Sequence, residues 1–178
     1  MKYFLPLLCL LLSGCQMRAP EPIAQPEYVE LERFMGDWYV IASIATVFER
    51  GAHNAVESYA LRDDGRVDTT FTFNRGGFDG PQRRMTPVAR VREGSGNATW
   101  GMQFVWPFHA DFRILLVADD YSHTIIGRKK RDYVWIMARE PVMDPAIYDS
   151  LIRFLDQEGY DINQIETVPQ CWTPDCVS

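Results

Sequence analysis

The chain has 178 residues, a formal net charge of −6 and 47% hydrophobic residues. That length suffices for one domain with a sizeable core. The acidic balance argues against a nucleic-acid partner and against electrostatic docking on anionic lipid.

The first residues read as an export signal. Lys2 supplies positive charge, and residues 4–12 form an apolar run too short to span a bilayer as a mature helix. The run ends in Leu12-Ser13-Gly14-Cys15, which resembles the lipobox of bacterial lipoproteins. That resemblance implies cleavage before Cys15, diacylglycerol on its sulfur and a further acyl chain on the new amino terminus. One acyl chain binds a membrane marginally, whereas two or more anchor stably. Gln16 stands where an Asp tends to retain such lipoproteins at the inner membrane, so it resembles an outer-membrane address. Removing the signal takes away only Lys2, leaving 17 basic residues against 24 acidic ones.

Residues 16–27 are polar and carry Pro20, Pro22 and Pro26, the composition of an extended tether. Residues 31–35 lead into the first strand. Turn punctuation then divides the chain into eight short strands, over 38–46, 54–62, 66–74, 85–92, 98–106, 112–118, 123–129 and 133–139. Val67, Thr69, Phe71 and Phe73 share one face, and Trp100, Met102, Phe104 and Trp106 share another. Eight strands joined by short hairpins predict an all-β, up-and-down antiparallel barrel, of the size that holds one small ligand.

A single helix follows. Asp144 suits its N-cap, Pro145 its first position and Gly159 its stop, with Ile147, Leu151, Phe154 and Leu155 forming an apolar stripe. The stripe is expected to pack on the outer wall, against residues such as Tyr59 and Leu61. A short strand over 162–168 completes the pattern. Near the end, Cys171 and Cys176 suit a small-loop disulfide in an oxidising compartment. No metal and no cofactor are expected, since zinc needs further ligands and no His is near in sequence.

Counting in twos from Trp38 places Val40, Ala42 and Ile44 inside. With Glu57 assigned to water, Val56, Ser58 and Ala60 face in. Phe71, Phe73, Trp100, Met102, Phe104, Trp135 and Met137 converge with them. These side chains either fill the barrel or line an apolar cavity suited to an acyl chain. About 0.8 kcal/mol per buried methylene makes such a chain a competent ligand. The aromatic Trp38 and the strand-ending Arg139 suggest a cation–π plug at one end, because a closed barrel makes first and last strands neighbours.

Several motifs in order carry a family resemblance. They are Gly36-Asp37-Trp38-Tyr39, Phe48-Glu49-Arg50-Gly51, Ser58 through Gly65, Asp120-Tyr121, and the run from Arg131 to Arg139. The chain resembles a bacterial lipocalin, an outer-membrane lipoprotein relative of apolipoprotein D. The resemblance implies an eight-stranded calyx with one flanking helix, fatty-acid or lysophospholipid ligands, and a role in envelope lipid storage or transport. It divides the chain into a signal peptide (1–14), a lipid anchor and flexible tether (15–30), a lipocalin domain (31–170) and a C-terminal tail (171–178). It implies a lipid-anchored barrel facing the periplasm, with a homodimer left open. Asp119 replaces the family's Thr before Asp120-Tyr121, and Trp106 enlarges a turn where relatives carry glycine. The local cysteine pair differs from the barrel-bridging disulfides of animal lipocalins.

An enzyme is the less favoured alternative. His53 and His109 fall in expected loops and His123 at a strand start, and Ser58 has no base beside it in sequence. No Gly-x-Ser-x-Gly elbow or His-Glu-x-x-His motif occurs. A haem carrier is a weaker reading, since the expected cavity offers no axial His or Cys. The basic run Arg128-Lys129-Lys130-Arg131 reads as a solvated hairpin tip, able to meet an anionic headgroup if it borders the mouth. A filled barrel acting through its surface as an envelope interaction protein is the other alternative.

Overall fold

A computed structural model describes residues 22–173 and Cys176. The signal peptide and Cys15 lie outside the described residues. Nine strands build the barrel: β1 (Gly36–Ile44), β2 (Ala52–Leu61), β3 (Arg66–Arg75), β4 (Gln82–Met85), β5 (Val88–Val91), β6 (Thr99–Val105), β7 (Phe108–Val117), β8 (His123–Gly127) and β9 (Val134–Ala138). Each pairs antiparallel with its neighbour, and β9 returns to β1. The strand expected over 85–92 is two pieces, β4 and β5, both paired to β3. The break falls at Thr86-Pro87, where proline has no N–H for the ladder. The two pieces occupy one strand position, so the barrel is eight-stranded. β7 begins four residues earlier than the expected 112, because the hairpin turns tightly at Trp106-Pro107. That puts His109 in β7, and His53 likewise sits in β2 rather than in a loop.

One end is closed as expected, with more than the expected pair. A short helix, α1 (Leu31–Phe34), precedes β1 and drives Phe34 into the base. The Arg139 guanidinium lies 3.7 Å from the centroid of the Trp38 ring. It also donates to the carbonyl oxygens of Arg33 and Met35 at 2.8 Å, Phe34 at 3.2 Å and Asp37 at 2.7 Å. These are C-terminal carbonyls of α1 and its exit, which lack helical partners. Trp38 Nε1 donates to Phe34 O at 2.8 Å. Gly36 has φ +91°, and a Cβ there would sit 3.4 Å from the guanidinium.

β-Bulges overturn part of the inward assignment. Pairing slips between Val40 and Ala42, so Val40 faces in but Ala42 and Ile44 face out. Ser43 is the inward residue above the slip, opposite Trp135. On β2, Glu57 pairs with Trp38 and Phe71, both interior. Ala55, Glu57 and Tyr59 therefore point inward, and Val56, Ser58 and Ala60 outward, the reverse of the expectation. A slip between His53 and Val56 and a left-handed Asn54 (φ 49°) obscure the alternation.

The long helix α2 (Pro145–Gln157) starts as expected, with Asp144 accepting from Ala146 N at 2.7 Å and Ile147 N at 3.4 Å. Leu151 and Leu155 are buried against Ala42, Leu115, Ile125, Val134 and Ile136. Its seat is thus the outer wall of β1, β7, β8 and β9, not Tyr59 and Leu61: Tyr59 lies inside the barrel. The strand expected over 162–168 is a 3₁₀ turn (Ile162–Gln164) and a two-residue β10 (Glu166–Thr167). β10 pairs with Ala42 and Ser43 above the point where β1 leaves β2. Asn54 N donates to Pro169 O at 2.9 Å, and Gln170 Nε2 donates to Val40 O and Ala55 O at 2.8 and 3.1 Å. The C-terminal segment therefore wedges between β1 and β2 and satisfies carbonyls freed by both bulges. Cys171 exchanges two 2.7 Å hydrogen bonds with Asn54 and forms a disulfide with Cys176.

The expected free tether is corrected over residues 22–30. Ala24 N donates to Glu158 Oε2, Gln25 Nε2 to Ala98 O and Val29 N to Gly96 O, each at 2.8 Å. Ile23 and Val29 are buried. Their apolar side chains hold this stretch as a strap along the barrel wall.

Replacing Arg139 with alanine is expected to lower stability by about 2 kcal/mol, since it strips charged donors from four carbonyls, two of them part-buried, and the cation from the Trp38 face. Arg139→Lys recovers less than half, because an ammonium cannot fork across four carbonyls. Urea unfolding monitored by tryptophan fluorescence measures both differences.

Candidate ligand-binding cavity

The barrel interior divides into a filled floor and an open cup. In the floor, Trp100 stacks on Phe112 at 5.1 Å, and Tyr59 meets Trp100 edge-on at 5.5 Å. Phe34 packs under them, 5.1 Å from Trp38 and 5.6 Å from Trp100. Above this aromatic layer lies a cavity whose empty volume is about 620 Å³, including space open to solvent at the mouth. Phe71, Met85, Met102, Phe104, Phe112 and Trp135 supply its apolar wall. Alternation on β3, β6 and β9 brings these side chains to one space.

The polar lining is sparse and mainly acidic. Glu49 accepts from Thr46 Oγ1 at 2.9 Å and Trp135 Nε1 at 2.8 Å. Burial raises its pKa, and those hydrogen bonds offset part of the rise. Glu57 stands without such donors. Burial, and then repulsion from Glu49, push it from its ordinary 4.5 to about 8. Glu57 is half-buried by surface because it faces the cup. Tyr59 Oη is close enough to pull against that rise, yet it meets no partner at hydrogen-bond geometry. At neutral pH the wall thus carries a protonated carboxyl, able to donate a hydrogen bond.

Asp111, Arg128 and Tyr133 border the mouth. Asp111 is paired to Arg113 at 3.0 Å and accepts from Lys129 N at 2.7 Å. Arg128 lies 3.3 Å from Asp132 and 5.2 Å from the Tyr133 ring centroid, with its Nε buried and unpartnered. The hairpin-tip reading is therefore corrected at Arg128, which turns toward the cup. Beside the opening, Phe48, Phe73, Arg75, Arg83, Arg84 and Met85 form a separate shelf.

Of the residues expected at the site, Phe71, Met102, Phe104 and Trp135 line the cup. Trp100 belongs to the floor, Phe73 to the shelf, and Val40 and Met137 to the buried interior. Val56 and Ser58 are corrected: both lie on the outer face, where Ser58 Oγ donates to Asp37 Oδ1 at 2.5 Å. Asp120 and Tyr121 shape a turn at the closed end. Asp120 Oδ1 accepts from Ser122 N, and Tyr121 Oη accepts from Glu30 N beneath the Arg33 guanidinium.

Glu49, Glu57, Thr46 and Met85 were missed, and Arg128 was foreseen only within a basic hairpin run able to meet an anionic headgroup if it borders the mouth. Glu49 sits in a motif valued only for its likeness, and Glu57 was assigned to solvent on charge alone. Its shared parity with Ala55 and Tyr59 was the available signal. His53 meets Gly51 O and the Phe78 ring, His123 meets Ser122 Oγ, and His109 is exposed. Among the described residues none of the three lines the cup, and no acidic, His or Cys cluster is arranged to hold a metal ion.

Residues 29–170 match the family of lipocalin-like domains. The chain is 28% identical over 170 residues to the outer membrane lipoprotein Blc of Vibrio cholerae, covering 94% of this chain and 97% of that one. It is 30% identical to temperature-induced lipocalin-1 of Arabidopsis thaliana over 82% of each chain. It is 26% identical to mouse apolipoprotein D, over 89% of this chain and 85% of that one. In structure it is similar to insecticyanin of the tobacco hornworm, with a TM-score of 0.65, 13% identity and 87% of each chain covered. Lobster apocrustacyanin A1 gives 0.64 at 11% identity, covering 84% of this chain and 91% of that one. At such identities these two structures speak for the fold alone.

The raised Glu57 acid has a defined thermodynamic sign. The unfolded chain loses this proton near pH 4.5 and the folded chain near 8. Stability that the neutral acid permits is full below 4.5 and is lost progressively up to 8. Glu57→Gln is therefore expected to match the wild type at pH 4.5 and exceed it increasingly toward pH 8.5. Urea midpoints across that range read the widening gap; a constant gap would show an acid ionised throughout.

Proposed function

The chain belongs to the lipocalin-like family, and from that premise we propose that it is a lipid-anchored outer-membrane lipoprotein that holds acyl lipids in its calyx. The observation that carries this reading is the apolar cup, open at one end above a closed aromatic floor. The relatives named as outer membrane lipoproteins, together with the signal run and Cys15, support the address and the anchor. The ligands proposed are fatty acids and lysophospholipids, and the activity is binding or carriage within the envelope rather than catalysis.

The cup sets how such a ligand enters. A protonated Glu57 and the Glu49 carboxyl line the wall, while Arg128 borders the mouth. An anionic head is disfavoured within the apolar wall, where it would lose its hydration, and favoured beside a guanidinium at the opening. The ligand therefore enters tail first, leaving its carboxylate or phosphate at the opening. Because Trp100 and Phe112 fill the lower barrel, only the distal part of a long chain is enclosed. About eight methylenes at about 0.8 kcal/mol each give about 6 kcal/mol gross, before association costs. A methylene chain against Met and Phe has little shape identity, so discrimination among acyl lipids is weak.

A chain beginning at Gln16 keeps every described residue and suits titration with palmitate and a lysophospholipid analogue, followed by tryptophan quenching. Saturable one-site binding is expected. Ala110 on β7 also lines the cup, so Ala110→Trp fills it and should weaken binding roughly tenfold or more while leaving the unfolding midpoint near wild type. A folded protein that binds neither ligand would overturn the acyl-lipid reading and favour the interaction-protein alternative. In the cell, Cys15→Ala should shift the protein from the membrane fraction to the soluble periplasm.

A further inference from the structure

The open end of the barrel is unlike the rest of its surface. Phe104, Val105, Trp106 and Phe108, on the β6–β7 hairpin, are 58, 68, 80 and 75% exposed. Val47 and Phe48, on the β1–β2 loop across the opening, are 61 and 68% exposed. Large exposed side chains gathered at one place mark an interaction surface. Cations stand among them. Arg75 reaches Phe48 O at 2.6 Å, and Arg83 and Arg84 are exposed on β4 beside Phe48 and Phe73. Among the described residues, none of these three arginines makes an ion pair. Two carboxylates at this end, Asp111 and Asp132, are already paired to Arg113 and Arg128.

The strap gives an independent direction. Ala24 is bonded to Glu158, whose carbonyl accepts from Arg131 of the mouth-side hairpin. Next to it, Tyr160 Oη accepts from Arg128 N. From Ala24 the chain runs down the wall to Gly96 and Tyr121 at the closed end. Its first described residues, Pro22 to Ala24, therefore lie toward the mouth-side hairpin. Six residues separate Cys15 from Pro22, a reach of at most about 25 Å.

We propose that the mouth of the calyx docks on the phospholipid surface, its aromatic tips entering the headgroup region and Arg75, Arg83 and Arg84 meeting lipid phosphates. The proposal rests on the reading of Cys15 as the anchor, which places the bilayer on the mouth side. Aromatic and aliphatic tips lie favourably at the membrane interface, and nearby cations add attraction to anionic lipid. A second copy of the chain is the competing occupant, but pairing two mouths would bring like-charged arginines together. The negative net charge does not oppose docking, because the Debye length confines the interaction to this end. Docking would let an acyl chain pass between bilayer and cup without crossing water.

The test uses the chain from Gln16, which has no lipid of its own. Vesicles of phosphatidylethanolamine with phosphatidylglycerol are compared with phosphatidylcholine vesicles by flotation, and quenching by brominated acyl chains reports insertion. Binding that is stronger on the anionic vesicles, with tryptophan quenched, is expected. The double variant Trp106→Ser/Phe108→Ser should weaken it roughly tenfold, and Arg83→Gln/Arg84→Gln should abolish the preference for phosphatidylglycerol. Lysophospholipid binding is measured on the same samples. Its retention in both variants shows that the cup is intact, and its absence in the wild type tests the calyx reading separately. No vesicle binding, binding indifferent to both double variants, or a mouth-to-mouth dimer that excludes vesicles would overturn the proposal.

Discussion

The fold depends on one cation. Arg139 ends β9 and lies over Trp38 of β1, so the contact exists only once first and last strands are adjacent. The same guanidinium gathers carbonyls from α1 and its exit, which fixes Phe34 beneath the barrel. Phe34 then supports Trp38, Tyr59 and Trp100. Closure, floor and entry helix are thus one constraint rather than three. The stacked floor in turn limits how deep the cup can be.

Above that floor the interior is organised for something other than maximal packing. A solid hydrophobic core would not place Glu57 next to Glu49 or leave Tyr59 Oη unpartnered. Buried acids cost stability unless they stay neutral or find partners. Thr46 and Trp135 partner Glu49, and protonation serves Glu57. The wall is apolar where a chain would lie and acidic at defined points. For the acyl ligand proposed above, that arrangement would give direction to a tail with little shape of its own.

Much of this was legible in the chain, for identifiable reasons. β3 alternates without interruption, so Phe71 and Phe73 were placed inside from periodicity alone. The Asp144-Pro145 start marked α2, and the Trp38–Arg139 plug followed from strand adjacency in a closed barrel. What failed has two causes. Period-two counting assumes an unbroken ladder, and the bulge on β1 shifts it by one residue, putting Ala42 and Ile44 outside. On β2 the charge of Glu57 was taken to mean exposure, so the two faces were exchanged: Val56 and Ser58 lie outside and Glu57 inside. The strap was misread because proline and polar composition signal extension but not attachment. Its two buried residues, Ile23 and Val29, stand six positions apart with exposed or half-buried residues between them, too sparse to show a period.

The C-terminal wedge bears on the order of assembly. β1 and β2 part above Tyr39, and the gap is filled by β10, Pro169 and Gln170, which are more than a hundred residues later in the chain. A polypeptide that emerges amino end first cannot finish its wall until its last residues arrive. Until then the carbonyls of Val40 and Ala55 lack their partner and the barrel has an open seam beside its mouth. Contacts this distant in sequence form late, because loop closure precedes their gain. Synthesis and completion of the calyx are thereby coupled: the pocket becomes whole only after its C-terminal segment is available.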